Sequence, residues 1–298
     1  MKDLILWIDH QNSDDSDVKV QINNFPDGQR SITILNPEIL YGKVHVIIAK
    51  SIMVFRDIEL IMSAISAISA HTQEYSLYSP YIMGLRSDRK FSNGGDFYLD
   101  QVIVPILKLM DCPIYTLDPH SPRQIYQALN PFALNEEFKK IGQKKLICPD
   151  ESAKNRIIQM LDYTNGNEEF VKLLNGSIGY MKKQRIGDVV KQDPADELTF
   201  NILSGEDDIL IVDDLFDGGA SFVGLCESMR NTYGFKGKIT IYVSHFIGSN
   251  ISNIVKIKDL GVDILTTNSY SCPRLAKDMI KQIDVFSRDY ISEVYSLI

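Results

Sequence analysis

Within Ile209-Leu-Ile-Val-Asp-Asp-Leu-Phe-Asp-Gly-Gly-Ala-Ser-Phe222, an apolar run ends in the adjacent acids Asp213 and Asp214 and then in a glycine-rich turn. Carboxylates accept hydrogen bonds from sugar hydroxyls, and a turn built on Gly218 and Gly219 exposes backbone N–H groups to an anion. The helix expected next, with Phe222, Cys226, Met229 and Tyr233 on one face, aims the positive end of its dipole at the same spot. Acids for hydroxyls and N–H groups for phosphate thus come from one short stretch, which is what a phosphorylated ribose requires. The plainer alternative is an ordinary strand, turn and helix whose acids cap the helix.

Such a segment needs a sheet beneath it. Four apolar residues in a row read as a strand buried on both faces, as in a parallel sheet, whose ligands bind beyond the carboxyl ends of its strands. Asp213 and Asp214 are expected at that end. Short β-rich runs alternate with helical periodicity along the chain, the mark of βαβ units. The pattern predicts strands over residues 4–8, 18–22, 31–35, 44–49, 75–78, 114–117, 146–148, 178–181, 209–212, 239–243, 264–267 and 282–285. Helices are predicted over residues 58–70, 99–110, 151–161, 168–174, 221–233 and 289–297. Charge replaces periodicity over residues 135–145, so two similar α/β domains with mainly parallel sheets are expected, over residues 1–140 and 141–298.

Bulk properties narrow the function classes. With 298 residues, 44% hydrophobic and 23% charged, the chain can bury two full cores. A net charge of −8 argues against nucleic acid, whose phosphate backbone needs a basic stripe. Cys112, Cys148, Cys226 and Cys272 are too scattered for a zinc knuckle or a disulfide framework, which fits a reducing compartment. Asp9 stops the N-terminal apolar run too early for a secretory signal, and no later stretch approaches a membrane span. A cytoplasmic protein with no membrane partner is expected. Gly-x-x-x-x-Gly-Lys-Ser/Thr does not occur, so a Walker phosphate loop is excluded.

Five further clusters carry chemistry-bearing residues. Phe25-Pro-Asp-Gly-Gln29 reads as a hairpin turn. Gly84-Leu-Arg-Ser-Asp-Arg-Lys90 is either a solvated loop or a phosphate clamp in which an acid orients the arginines. His120, in Leu117-Asp-Pro-His-Ser121, and Asp150, in Cys148-Pro-Asp150, each follow a predicted strand. Lys183-Gln-Arg185 reads as an exposed basic loop.

Taken in order, these segments resemble the motifs of the ribose-phosphate diphosphokinases. The 209–222 stretch resembles the phosphoribosyl-pyrophosphate motif that this family shares with type I phosphoribosyltransferases. The resemblance implies two type I phosphoribosyltransferase-like domains, the first on the ATP side and the second on the ribose-phosphate side. It implies that Phe25, Asp27 and Gln29 surround the adenine and that Arg86, Ser87, Asp88 and Arg89, matching the family's Arg-Gln-Asp-Arg, bind ATP. His120 and Asp150 would place Mg²⁺, with His120 also catalytic, and Lys183 and Arg185 would stabilise the transferring phosphates. Asp213, Asp214, Asp217, Gly218, Gly219, Ala220 and Ser221 would hold the ribose and its phosphate. His245 matches a family histidine read as structural. The downstream Ile186-Gly-Asp-Val189 comes early for the family, so its mobile loop is expected to be shortened or rebuilt.

The implied reaction transfers the β,γ-diphosphate of Mg²⁺–ATP to the anomeric hydroxyl of a ribose and releases AMP. Family members read Asp-Thr-x-Gly-Thr where this chain has Asp217-Gly-Gly-Ala-Ser221, losing a hydroxyl and gaining room at Gly218. That change favours a ribose whose 5-phosphate is already esterified, so ribose 5-phosphate and ADP-ribose, the latter as in NAD salvage by phage-type relatives, are competing acceptors. A homo-oligomer, dimer or hexamer, is implied by resemblance alone. Two other readings stay open: a catalytically silent homologue and a phosphoribosyltransferase.

Overall fold

The computed structural model describes residues 2–90, 94–130, 145–162, 178–186, 189–271, 278–296 and 298, with side chains described at all of these except 160–162, 183–186 and 189–191. The chain divides into two compact units, Met1–Leu129 with Phe286–Ile298, and Asn130–Val285. The expected helix over residues 168–174 and residues 135–144 of the expected boundary stretch lie outside the described residues.

In the first unit, β-branched and leucine-rich runs form a parallel five-stranded sheet ordered β1-β4-β5-β6-β7. Its strands are β1 (Lys2–Trp7), β4 (Val44–Ala49), β5 (Tyr75–Tyr78), β6 (Ile114–Leu117) and the unforeseen β7 (Gln127–Leu129). β2 (Val20–Asn24) and β3 (Arg30–Ile34) pair separately as an antiparallel hairpin. Helix α1 (Phe55–Ser69) buries Ile58, Leu60, Ile61, Ala64, Ile65 and Ile68, the i, i+3, i+4 spacing that lays an apolar stripe on a core. Asp57 accepts from the N–H groups of Met53 and Val54 at 2.8 and 2.9 Å, satisfying donors at the start of α1. The helix expected over residues 99–110 opens with a π-helical turn at Leu99–Ile103 before α2 (Val104–Lys108).

The second unit holds a seven-stranded sheet ordered β10-β9-β8-β11-β12-β13-β14. All its pairings are parallel except the outermost, β9 (Ile178–Ile186) with β10 (Val189–Pro194). β8 (Lys145–Cys148), β11 (Ile209–Phe216) and β12 (Ile239–Phe246) form its centre, and β13 (Val262–Thr267) and β14 (Lys281–Ile283) complete the other side. Every residue of β12 is buried, as expected of a strand covered on both faces. The helices are α3 (Glu151–Asp162), α4 (Glu197–Leu203), α5 (Ala220–Glu227) and α6 (Ile251–Asp259), while α7 (Arg288–Ser296) belongs to the first unit.

Three expectations about local structure are corrected. The strand expected to end at Val212 runs on to Phe216, so Asp213 and Asp214 lie within β11 and not past its end; Leu215 and Phe216 are buried and continue the ladder against His245 and Phe246. Lys183-Gln-Arg185 is no loop. It lies in β9, with Lys183 opposite Gln192 and Arg185 opposite Val190. The helix expected over residues 221–233 is α-helical only through Glu227 and continues as a π-helical turn.

Candidate functional site

In the first unit, Phe25-Pro-Asp-Gly-Gln29 is the tip of the β2–β3 hairpin. Phe25 N donates to Gln29 O and Gly28 N to Phe25 O, both at 2.9 Å, and Gly28 takes the left-handed φ of 91° that closes the turn. Asp27 Oδ1 accepts from Gln29 N at 3.1 Å. Phe25, Asp27 and Gln29 are exposed; 47% of the Phe25 surface faces water, an unusual cost for an aromatic ring and a ready stacking platform.

Arg86, Ser87 and Arg89 are exposed on the turn that follows β5. Asp88 ties this turn to the loop after β6, accepting from the buried Ser121 Oγ at 2.5 Å. Tyr126 donates its hydroxyl to Ser121 O and holds that residue from below. His120 is the exposed residue next to Ser121, beyond a buried Asp118 whose N donates to Leu129 O at 3.1 Å. The expected ATP-side residues Arg86–Arg89 and His120 are therefore brought together through Asp88 and Ser121. The Phe91 to Asn93 part of the neighbouring loop lies outside the described residues.

In the second unit, Asp150 begins α3: its Oδ1 accepts from Ala153 N at 3.0 Å. Further along α3 stands Arg156, which the sequence reading overlooked. Its Nη2 lies 3.1 Å from Asp213 Oδ1 and 3.9 Å from Asp214 Oδ1. Its signal was present: a cation flanked by the buried Ala153 and Ile157 of an apolar stripe needs a buried carboxylate. Burial pushes the Asp213 carboxyl up to about 7, with Arg156 opposing the rise and Asp214 adding to it. Burial likewise pushes the thiols of Cys148 and Cys226 up to about 12, which leaves them protonated and poorly nucleophilic. The side chains of Lys183 and Arg185 lie outside the described residues; their backbone is in β9.

The raised Asp213 value has a stability consequence. Between the ordinary carboxylate range and pH 7 the folded protein holds a proton that the unfolded chain has released. The associated stability is full at low pH and is lost as pH rises through 7. Asp213→Asn cannot ionise, so at pH 8 it should be more stable by about 2 kcal/mol, a figure discounted because the side chain keeps 23% of its surface exposed. Thermal melts should show Tm raised by roughly 5 °C at pH 8 and unchanged near pH 4. A lower Tm at pH 8 would mean that the Arg156 pair outweighs the cost of burial.

The phosphate loop is built on aromatic rings. Phe216 stacks on Phe222 and Phe246 with centroids 5.1 and 4.8 Å apart. Gly219 caps α5 with φ 76°, and a Cβ on it would lie 2.3 Å from Phe216 Cζ. A Cβ on Gly218 would meet only Ser249 Oγ, at 3.6 Å. Two residues absent from the expected set close this loop from the side: Ser249 donates to Asp217 Oδ1 at 2.8 Å, and Asn253 Nδ2 donates to Gly218 O at 2.7 Å. They follow β12, so they arise where every carboxyl-end loop of a parallel sheet gathers, and that position was their only signal. Asp217, Ala220 and Ser221 are exposed there. His245 is buried, with Nδ1 2.8 Å from Ser269 Oγ, which suits its structural reading.

Among the described residues, no three His, Cys, Asp or Glu side chains are grouped to hold a metal ion. Of the two expected magnesium donors, Asp150 offers carboxylate oxygens, the ligand type that Mg²⁺ prefers, and His120 offers a ring nitrogen. Among those residues no helix is long and apolar enough to cross a membrane.

No family model matches the chain. A ribose-phosphate pyrophosphokinase of Sulfurisphaera tokodaii is 23% identical over 268 residues, covering 85% of this chain and 84% of that protein. Among solved structures, phosphoribosylpyrophosphate synthetase from Mycobacterium smegmatis superposes with a TM-score of 0.71 at 12% identity, covering 100% of this chain and 98% of that one. The chain therefore has the α/β fold of that synthetase, with parallel sheets.

Proposed function

We propose that the protein is an ATP-dependent diphosphokinase that transfers the β,γ-diphosphate of ATP to the anomeric hydroxyl of a ribose 5-phosphate unit. The observation that carries this reading is β11 and its turn. Asp213 and Asp214 offer hydroxyl acceptors, and the Gly219-capped start of α5 offers N–H donors, a few residues apart. The likeness to a ribose-phosphate pyrophosphokinase along most of the chain supports it.

In the reaction, the anomeric oxygen bonds to the β-phosphorus, the bond from that phosphorus to the α,β-bridging oxygen breaks, and the hydroxyl proton passes to solvent. AMP leaves with the bridging oxygen. Charge spreads over the phosphoryl oxygens, so catalysis is mainly positioning and electrostatic stabilisation. Lys183 and Arg185 supply that charge, and His120 assists at the ATP phosphates. Phe25, Asp27 and Gln29 receive the adenine, and Arg86, Ser87, Asp88 and Arg89 receive the phosphates. His120 and Asp150 would hold a magnesium ion, which would supply neutralising positive charge at the ATP phosphates. Asp217, Gly218, Gly219, Ala220 and Ser221 cradle the acceptor phosphate. Its substrates place the enzyme in the cytoplasm, and a homo-oligomer, dimer or hexamer, is its proposed form.

The small residue at Gly218, where an added Cβ would meet only Ser249 Oγ at 3.6 Å, favours an acceptor whose 5-phosphate is esterified. ADP-ribose, yielding its 1-diphosphate in NAD salvage, is therefore preferred over ribose 5-phosphate. AMP release measured side by side with the two acceptors should be faster with ADP-ribose. Turnover of ribose 5-phosphate alone would remove ADP-ribose, and silence with both would leave a catalytically inactive homologue.

A further inference from the structure

Asp213 uses its two oxygens unequally. Oδ1 accepts from Arg156 Nη2 at 3.1 Å and from Asp214 N at 3.0 Å, and among the described residues neither donor is shared with Oδ2. The side chain still keeps 23% of its surface exposed. One oxygen is thus anchored on both sides and its twin is presented. Arg156 is itself only 11% exposed, and its Nη2 lies 3.1 Å from Asp213 Oδ1 and 3.9 Å from Asp214 Oδ1.

Two adjacent carboxylates in a half-buried strand repel each other, and a neutral or swivelled acid makes a poor acceptor for sugar hydroxyls. A guanidinium is permanently charged and planar, so it fixes an orientation that an ammonium on a flexible stem holds less well. The other ionisable groups clustered here are Lys154 and Asp150 at the start of α3 and the neutral thiol of Cys148 at the end of β8. None of them is a hydrogen-bond partner of Asp213.

We propose that Arg156 is a positioning residue for the acceptor: it pins Asp213 Oδ1 so that Oδ2 faces the ribose hydroxyls. This rests on the reading of Asp213 and Asp214 as the ribose acids. Arg156 lies 57 residues before Asp213, on a different element of the same unit, and its ion pairs are with the two acids that grip the ribose in this reading. Its loss should therefore act on one substrate and spare the other.

The full-length protein carrying Arg156→Gln should show KM for the acceptor raised about tenfold or more, with KM for ATP and kcat changed less than about threefold. Arg156→Lys should recover part of the loss, and the double variant Arg156→Gln with Asp213→Asn should be no worse than Asp213→Asn alone. Circular-dichroism melts of each variant separate lost folding from lost binding, and Arg156→Lys, which keeps the charge, carries the test if Arg156→Gln does not fold. An active protein whose acceptor KM is unmoved in both single variants, or whose two substrate constants rise together, overturns the role of Arg156 and leaves the diphosphokinase reading intact. No AMP release from the unmodified protein with either acceptor overturns that reading and the role of Arg156 with it.

Discussion

Lys183→Ala should release AMP about a thousandfold more slowly than the unmodified protein, with KM for either substrate little changed. The size follows from what a cation does in phosphoryl transfer: negative charge moves onto oxygens that water would otherwise solvate, and a fixed charge already in place stabilises that state without reorganising. Position in β9 strengthens the expectation. Lys183 and Arg185 are laddered against Gln192 and Val190, so their backbone is held by cross-strand hydrogen bonds and not by a free loop. Arg185→Ala should behave alike, and Lys183→Arg should keep more activity than Lys183→Ala. Single-turnover AMP release measures this, and an unchanged rate for Lys183→Ala removes Lys183 from the chemistry.

Gly219→Ala is expected to lower Tm by roughly 10 °C and to abolish acceptor binding, whereas Gly218→Ala leaves Tm within about 2 °C. The left-handed φ of 76° costs an L-residue about 1–2 kcal/mol. The new Cβ would also sit 2.3 Å from Phe216 Cζ. Phe216 cannot yield cheaply, because Phe222 and Phe246 stack on it; forced repacking adds about 1–3 kcal/mol. Gly218 differs on both counts, with its added Cβ in ordinary contact with Ser249 Oγ. Differential scanning calorimetry and titration with ADP-ribose and with ribose 5-phosphate read the two effects. Equal behaviour of the two glycines would refute this account of the loop.

Legibility in the sequence followed burial. β4, β5 and β6 fall on the residues expected of them because apolar and β-branched side chains dominate runs covered by other elements. The Gly218-Gly219 turn and the Phe25 hairpin were legible because glycine and proline carry their conformations with them. β10 was missed and β9 cut short at Met181 because Lys182-Lys-Gln-Arg185 has a loop's composition and a strand's geometry. α6 was missed because it is only nine residues long and buries Ile254 and Ile257, too short a stripe to show helical periodicity. At the site, the acids of β11 were found and their cation was not. A pairing across 57 residues leaves no periodic trace, and only the cost of an uncompensated buried charge points to Arg156.

β10, outermost in its sheet, ends in Lys191-Gln-Asp-Pro194. A lateral strand is an open template on which another chain can crystallise a ladder, and proteins blunt it with charge and with proline, which has no N–H to offer. Here that protection sits beside the strand that holds Lys183 and Arg185. The same polar composition that hid the hairpin from a sequence reading thus guards the chain against stacking side by side into fibrils. A substitution such as Lys191→Val combined with Asp193→Val would test solubility before it tested chemistry.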